Sequence, residues 1–427
     1  MDLNELLKKW RRDFHQYPET GFLEMRTASI VAFELSEMGF NLKVGKEVMD
    51  ETKMMGKPSL SSIEEHIKWA QKNGAKHKFL DYFKEGYTGV VATLDTKRKG
   101  PTIAFRFDMD ALPILESDDE SHFPAKSGFR SVVSGAMHAC GHDSHTAIGL
   151  GLAKLLKENE EKLNGSIKII FQPAEEGTRG AKSMQQAGVV DDVDYFIASH
   201  IGVGVPHQHF VAANNGFMAT TKMDITFKGN SSHAGSEPEE GKNALLAAAS
   251  AVLNAHAIPR HSSGYSRVNI GEVHAGSGRN IVPDKATLKA ETRGETIEIN
   301  QYMKEKLMKI IEGSALMQEA EFNLEVVGEA VNITCSRHLA STIAKVAENH
   351  SFMKNVSLES NQSAGSEDAT YFVNAVQNNG GQATYCVFGT DLAAGHHNER
   401  FDINENTMLP AVEILYSTAL ELSHTNS

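Results

Sequence analysis

The sequence predicts an α/β fold: a mostly parallel sheet with helices on both faces, interrupted by an inserted ferredoxin-like βαββαβ domain. Short apolar runs alternate with segments of helical spacing towards both ends of the chain. Four of those runs end in Asp, Glu or His, and the middle of the chain follows its own order of strand, helix, two strands, helix and strand. With 427 residues the chain exceeds one ordinary core, so two domains are expected. The boundaries read as 1–215, an insert over 216–330, and a return to the first domain over 331–427.

Residues 2–15 and 26–39 have helical spacing, the second with Ile30, Val31, Phe33, Leu35 and Met38 on its apolar face and Gly39 as its stop. Residues 46–86 form a polar excursion, helical over 62–70, without a cluster of ligand residues, and are expected on the substrate side or at an interface. Strands follow at 89–94 and 102–107, the latter running into Asp108 and Asp110. Two carboxylates ending a buried strand are costly unless paired or facing a cation. Residues 137–146 then pack His138, Cys140, His142, Asp143 and His145 into one turn, and apolar helical spacing starts at Ala147 with Asp143 or Ser144 as the expected N-cap. Thiolate and imidazole on either side of Gly141 are ligand chemistry for zinc or a similar ion.

A strand at 166–171 leads to Glu175-Glu176, a helix spans 181–187, and a strand at 193–198 leads to Ser199-His200. A strand at 383–389 precedes His396-His397, and a helix around 408–422 closes the chain. In open α/β sheets ligands bind beyond the carboxyl ends of strands, which is where these groups fall. The insert reads as a strand at 221–227, an alanine-rich helix at 243–257, strands at 267–273 and 286–291, a helix at 297–317 and a strand at 321–327.

The formal charge of -13 argues against a nucleic-acid partner, which needs clustered Lys and Arg. Three cysteines far apart, Cys140, Cys335 and Cys386, make a disulfide framework unlikely and fit a reducing, cytoplasmic setting. No apolar run reaches the roughly 18 residues a membrane span requires, and the amphipathic N-terminus lacks a signal-peptide core.

If Cys140, His142, Glu176, His200 and one of His396 and His397 converge, five ligands exceed the usual three of a catalytic zinc, so two ions about 3.5–4 Å apart with a shared ligand are favoured. One of the adjacent Glu175 and Glu176 can then ligate while the other faces a water as general base. A cysteine nucleophile is the rival, but His142, two residues along a glycine turn, is poorly placed as its base.

Residues 108–113, 138–143, 172–177 and 397–402 together resemble the aminoacylase/carboxypeptidase family of binuclear metallohydrolases, in the branch of hippurate hydrolase and the auxin-conjugate amidohydrolases. The 46–86 insert and the wording of 171–181 and 393–399 resemble, within it, enzymes acting on p-aminobenzoyl-glutamate. The resemblance implies Cys140, His142, Glu176, His200 and His397 as ligands of two Mn2+ or Zn2+ ions, Glu175 as general base and Asp110 as the carboxylate orienting a ligand. His397 is preferred to His396 for its spacing to Phe401. It further implies that the insert is a lid or dimerisation domain whose His233 reaches a partner's active site as oxyanion donor, with Asn280 and Arg293 binding substrate polar groups. The implied reaction cleaves p-aminobenzoyl-glutamate, or another N-acyl amino acid, in a homodimer or a hetero-oligomer with a homologous B subunit. His233 could instead cap the helix near Asn243, and Arg293 could be a surface charge. Asn398-Glu399 departs from the Ser-Pro more often found in relatives.

Overall fold

The computed structural model describes residues 2–362 and 365–425. One compact unit comprises the chain up to Gly216 and from Ile333 onward, save Gly365–Glu367, which join the second unit, Phe217–Asn332.

The strands are β1 (Asn41–Val44), β2 (Val90–Asp95), β3 (Thr102–Asp108), β4 (Ser166–Gln172), β5 (Tyr195–Ile201), β6 (His209–Val211), β7 (Ala219–Lys228), β8 (Ser266–Ala275), β9 (Lys285–Gly294), β10 (Glu321–Ala330), β11 (Asn355–Ser357) and β12 (Gln382–Phe388). The first unit is built on the eight-stranded sheet β1-β2-β4-β3-β5-β12-β6-β11. Its centre, β4-β3-β5-β12, is parallel, whereas β1, β2 and the β12–β6 pair are antiparallel. The central strands are nearly continuous apolar runs because helices cover them on both faces. On one face Phe107 and Phe171 press so closely on the helix His142–Glu158 that a Cβ at Gly149 would stand 2.7 Å from each ring. On the other face Phe196, the register partner of Ala104, meets Phe372 of the helix Thr370–Asn378 at 5.6 Å.

The second unit is a four-stranded antiparallel sheet in the order β10-β7-β9-β8. The helices Ala244–His256 and Ile297–Met317 pack on it. Alternate residues of β7, Met223, Ile225 and Phe227, enter a core with Ala247, Ala251, Met303, Leu307 and Ile311. The order of elements is βαββαβ, the ferredoxin-like arrangement.

Two expectations at the Cys140 turn and the strand that follows it need correction. The helix begins at His142, and its N-cap is Gly141 at φ 94°, not Asp143 or Ser144. The Asp143 side chain is drawn into ion pairs, and only glycine takes the left-handed turn without strain. The expected 193–198 strand lies further on, at Tyr195–Ile201, so His200 sits on the strand and not beyond it. The short β1, β6 and β11 were not anticipated, and the 46–86 excursion is tied down by the His66 Nε2 contact to Glu19 Oε1 at 2.8 Å.

The N-terminal helix Leu3–Gln16 is anchored through buried charge. Arg11 donates to Asp143 at 2.8 Å, to Asp402 at 2.5 Å and to Glu405 at 3.3 Å. His15 Nδ1 meets Asp143 at 2.8 Å and its Nε2 meets Glu116 at 2.9 Å. With a carboxylate on each nitrogen the ring is doubly protonated. Burial alone would lower the His15 pKa, but the two carboxylates outweigh it and raise it to about 9. A folded-state value above the unfolded one, about 6.5, contributes stability in full below about pH 6.5 and loses it as pH rises through about 9. The difference in melting temperature between wild type and His15→Gln should therefore shrink across that interval. Thermal denaturation at a series of pH values checks this, and a constant difference would count against a charged His15.

Candidate metal centre

The loop after β4 carries Glu175 and Glu176 through backbone that other residues would not adopt unaided: Ala174 has φ 50°, Gly177 89° and Thr178 64°. Three buried carboxylates hold it. Glu24 Oε1 accepts the Ala174 N–H at 2.8 Å. Asp110, two residues beyond β3, accepts the N–H groups of Glu175 at 3.0 Å and Glu176 at 2.9 Å. Asp368 accepts those of Gly180 at 2.9 Å and Ala181 at 2.8 Å. Asp110 also lies 3.3 Å from His142 Nδ1, so one carboxylate aligns the glutamates and an imidazole together.

Around this loop ligand atoms gather within 4.8 Å of one another in groups that share members: Cys140 with Glu176 and His397, Cys140 with His200 and His396, His142 with Glu175 and Glu176, and His142 with His145 and His200. His142 Nε2 is 3.9 Å from Glu175 Oε2, and His397 Nε2 is 3.4 Å from Glu176 Oε1. Cys140 Sγ is 3.5 Å from both His200 Nε2 and His396 Nδ1. Both ring nitrogens of His142 and Glu176 Oε1 are buried with no hydrogen bond of good geometry, meeting only the longer ion-pair contacts to Asp110, Glu175 and His397. Orphaned buried polar atoms of this kind are expensive unless an ion completes them.

Hydrogen bonds sort the histidines. The His200 Nδ1–H donates to the Ile201 carbonyl at 2.8 Å, which turns its Nε2 lone pair to Cys140. His145 is spent at both ends, with Nδ1 on Asp108 at 2.6 Å and Nε2 accepting from Ile201 N–H at 3.0 Å. His396 Nε2 accepts from Val203 N–H at 3.0 Å, so its proton is on Nδ1 and points at the Cys140 sulfur. His397, in left-handed backbone at φ 62°, is pinned by its N–H to the Ala139 carbonyl at 2.8 Å and keeps Nε2 towards Glu176.

The electrostatics follow from this crowding. Burial, then the nearby imidazoles, push His200 well below its ordinary value. Burial would lower His142 too, but Asp108 and Asp110 hold it well above. Burial raises the Cys140 thiol, and the adjoining Cys140 and Glu176 side chains raise His397 to about 10. These groups hold one another's protons, which a bound cation would release. Glu24 is raised to about 8 by burial and the Asp110 charge.

Sequence reasoning missed Glu24, Asp368 and the supporting parts of His145 and His396. Asp108 was noted as a costly carboxylate; it is met by Arg106 at 2.6 Å and His145. His233, Asn280 and Arg293 belong to the second unit. His233 is exposed and its Nδ1 accepts from the N–H groups of Gly235 and Ser236 at 3.1 Å, so it closes its own turn, while Asn243 caps the following helix. Asn280 is exposed and its carbonyl accepts from Ala234 N–H. Arg293 is half-buried and paired with Glu291 at 2.9 and 3.2 Å.

Residues 104–421 match the family described as Peptidase family M20/M25/M40. The chain is 51% identical to the A subunit of p-aminobenzoyl-glutamate hydrolase from Escherichia coli (strain K12), over 98% of this chain and 96% of that one. It is 50% identical to indole-3-acetyl-aspartic acid hydrolase of Enterobacter agglomerans, over 97% and 95%. The crystal structure of the aminobenzoyl-glutamate utilization protein from Klebsiella pneumoniae superposes with a TM-score of 0.86 at 45% identity, covering 98% of this chain and 97% of that one. Among the described residues no helix is long and apolar enough to cross a membrane.

The hydrogen-bond pattern separates the two adjacent histidines by experiment. His397→Ala should abolish tight zinc or manganese uptake, whereas His396→Ala, losing the donor to the sulfur and the acceptor of the Val203 N–H, should weaken it by about 10–100-fold. Competition titration against a chelator measures both, and equal losses would show that the two histidines play the same part.

Proposed function

The chain belongs to peptidase family M20/M25/M40, and from that premise we propose that it is a two-metal amidohydrolase cleaving p-aminobenzoyl-glutamate to p-aminobenzoate and glutamate. The observation that carries this reading is the shared ligand cluster centred on Cys140 and the Glu175-Glu176 loop, in a chain 51% identical to a hydrolase of that amide. Cys140, His142, Glu176, His200 and His397 would hold the ions. The thiolate suits zinc and the carboxylates suit manganese. Such a pair supplies Lewis-acid polarisation of an amide carbonyl and acidifies water.

The chain's own residues do the rest. Glu175, 3.9 Å from His142, takes the proton of the attacking water and returns it to the departing amine nitrogen. Asp110 fixes both that base and His142. His233, from the second unit of a partner chain, donates to the oxyanion, and Asn280 and Arg293 bind the polar ends of the substrate once Arg293 exchanges Glu291 for it. The partner is a second copy or a homologous B subunit; the E. coli relative, named as one subunit of its hydrolase, supports a multi-chain enzyme. Three free cysteines fit the cytoplasm.

The second reading, an auxin-conjugate hydrolase, has support of its own in the 50% identity to indole-3-acetyl-aspartic acid hydrolase. Both names join an aromatic acyl group to an acidic amino acid. That shared class is the core of the proposal.

Metal analysis of the purified protein with chromatographic detection of released p-aminobenzoate or indole-3-acetate tests both readings. Glu175→Gln should keep its metal and lose about 10²–10⁴-fold in kcat, and a chelator should abolish wild-type activity until zinc or manganese is restored. Parent-like turnover by a metal-loaded Glu175→Gln would remove the base assignment.

A further inference from the structure

The geometry points to Arg179 as the residue that selects an acidic amino acid in the substrate, an inference that rests on the amidohydrolase reading above and names the group that sets its specificity. Arg179 stands three residues after Glu176, on the loop beyond the carboxyl end of β4. Its guanidinium is held from several sides. Nε donates to the Glu176 carbonyl at 3.0 Å, and Nη1 donates to the Gly56 carbonyl, on the 46–86 excursion, at 3.1 Å. Phe22 lies under it with its ring centre 5.5 Å away. Two glycines make the room: a Cβ at Gly21 would fall 2.2 Å from Nη2, and one at Gly177 would fall 3.0 Å from Nε.

Its acceptors are neutral. Arg11, Arg12, Arg26, Arg106 and Arg293 each reach a carboxylate. Among the described residues no carboxylate comes within ion-pair distance of Arg179, and Nη2 has no protein acceptor. The side chain is half-buried, so its charge is partly desolvated without being neutralised. A guanidinium fixed through two of its five N–H groups and lacking a counter-charge is pre-organised for a carboxylate ligand. An N-acyl glutamate or aspartate carries two carboxylates, of which the one on the side chain distinguishes it from neutral amino acids. Arg179 takes that carboxylate, and the excursion, through Gly56, holds the arginine in place to do so.

The test compares p-aminobenzoyl-glutamate with p-aminobenzoyl-glutamine, which has the same shape and lacks the side-chain charge, on the metal-loaded enzyme. In Arg179→Met the ratio of kcat/KM for the two amides should fall by about 10–100-fold. The loss should lie in KM for the glutamate substrate, with metal content unchanged. Arg179→Lys, which keeps the charge and loses the fork, should give an intermediate ratio and covers the case in which the methionine variant folds poorly. A ratio unchanged in both variants, even if both amides slow together, would assign Arg179 a purely structural role and overturn the inference. A wild-type enzyme that cleaves neither these two amides nor indole-3-acetyl-aspartate would overturn the amidohydrolase reading itself, and this one with it.

Discussion

Glu24, Asp110 and Asp368 together accept five backbone N–H groups of the loop that carries Glu175 and Glu176. This loop could not keep its shape alone. Three of its residues sit at positive φ, two of them not glycine, and unpaired N–H groups in a buried turn would cost more than the turn could recover. Each carboxylate comes from a different part of the chain. The position of the two glutamates is therefore a property of the whole first unit and not of the local sequence.

Concentrating carboxylates in one place creates a second problem, mutual repulsion in a poorly solvated interior. The fold answers it with cations and with N–H donors. Burial would raise Asp108, but His142 and Arg106 outweigh it, with His145 donating a hydrogen bond, and Asp108 stays well below the usual carboxylate range. At the start of the His142 helix, Arg11 and His15 hold Asp143 in the same condition. The innermost groups, His142 and Glu176, keep atoms with no hydrogen bond of good geometry, and these residues are among those whose ligand atoms converge.

Much of this could be read from the chain because parallel strands make a simple promise: whatever follows them lies at one edge of the sheet. Asp110, Glu175-Glu176, His200 and His396-His397 each follow or end such a run, so their meeting needed no knowledge of tertiary contacts. The alternation of Met223, Ile225 and Phe227 likewise gave the inserted sheet away. What escaped notice depends on partners distant in sequence. Glu24 and Asp368 look like ordinary surface acids until the loop they bind is folded against them. The roles of His396 and His397 differ by which backbone N–H, that of Val203 or none, meets a ring nitrogen, and no spacing rule encodes that. The Gly141 cap was missed because Asp143 is a good capping residue that the buried Arg11 claims first.

The strand order has a consequence for how the polypeptide is made. β12 lies between β5 and β6, yet some 170 residues of chain, including all of the second unit, are translated between β6 and β12. The second unit can complete its own core while still near the ribosome. The larger sheet must wait with an open slot flanked by apolar strands until Gln382–Phe388 emerges. Exposed strand edges of this kind invite mispairing, so nascent chains stalled before β12 are the natural clients of a chaperone.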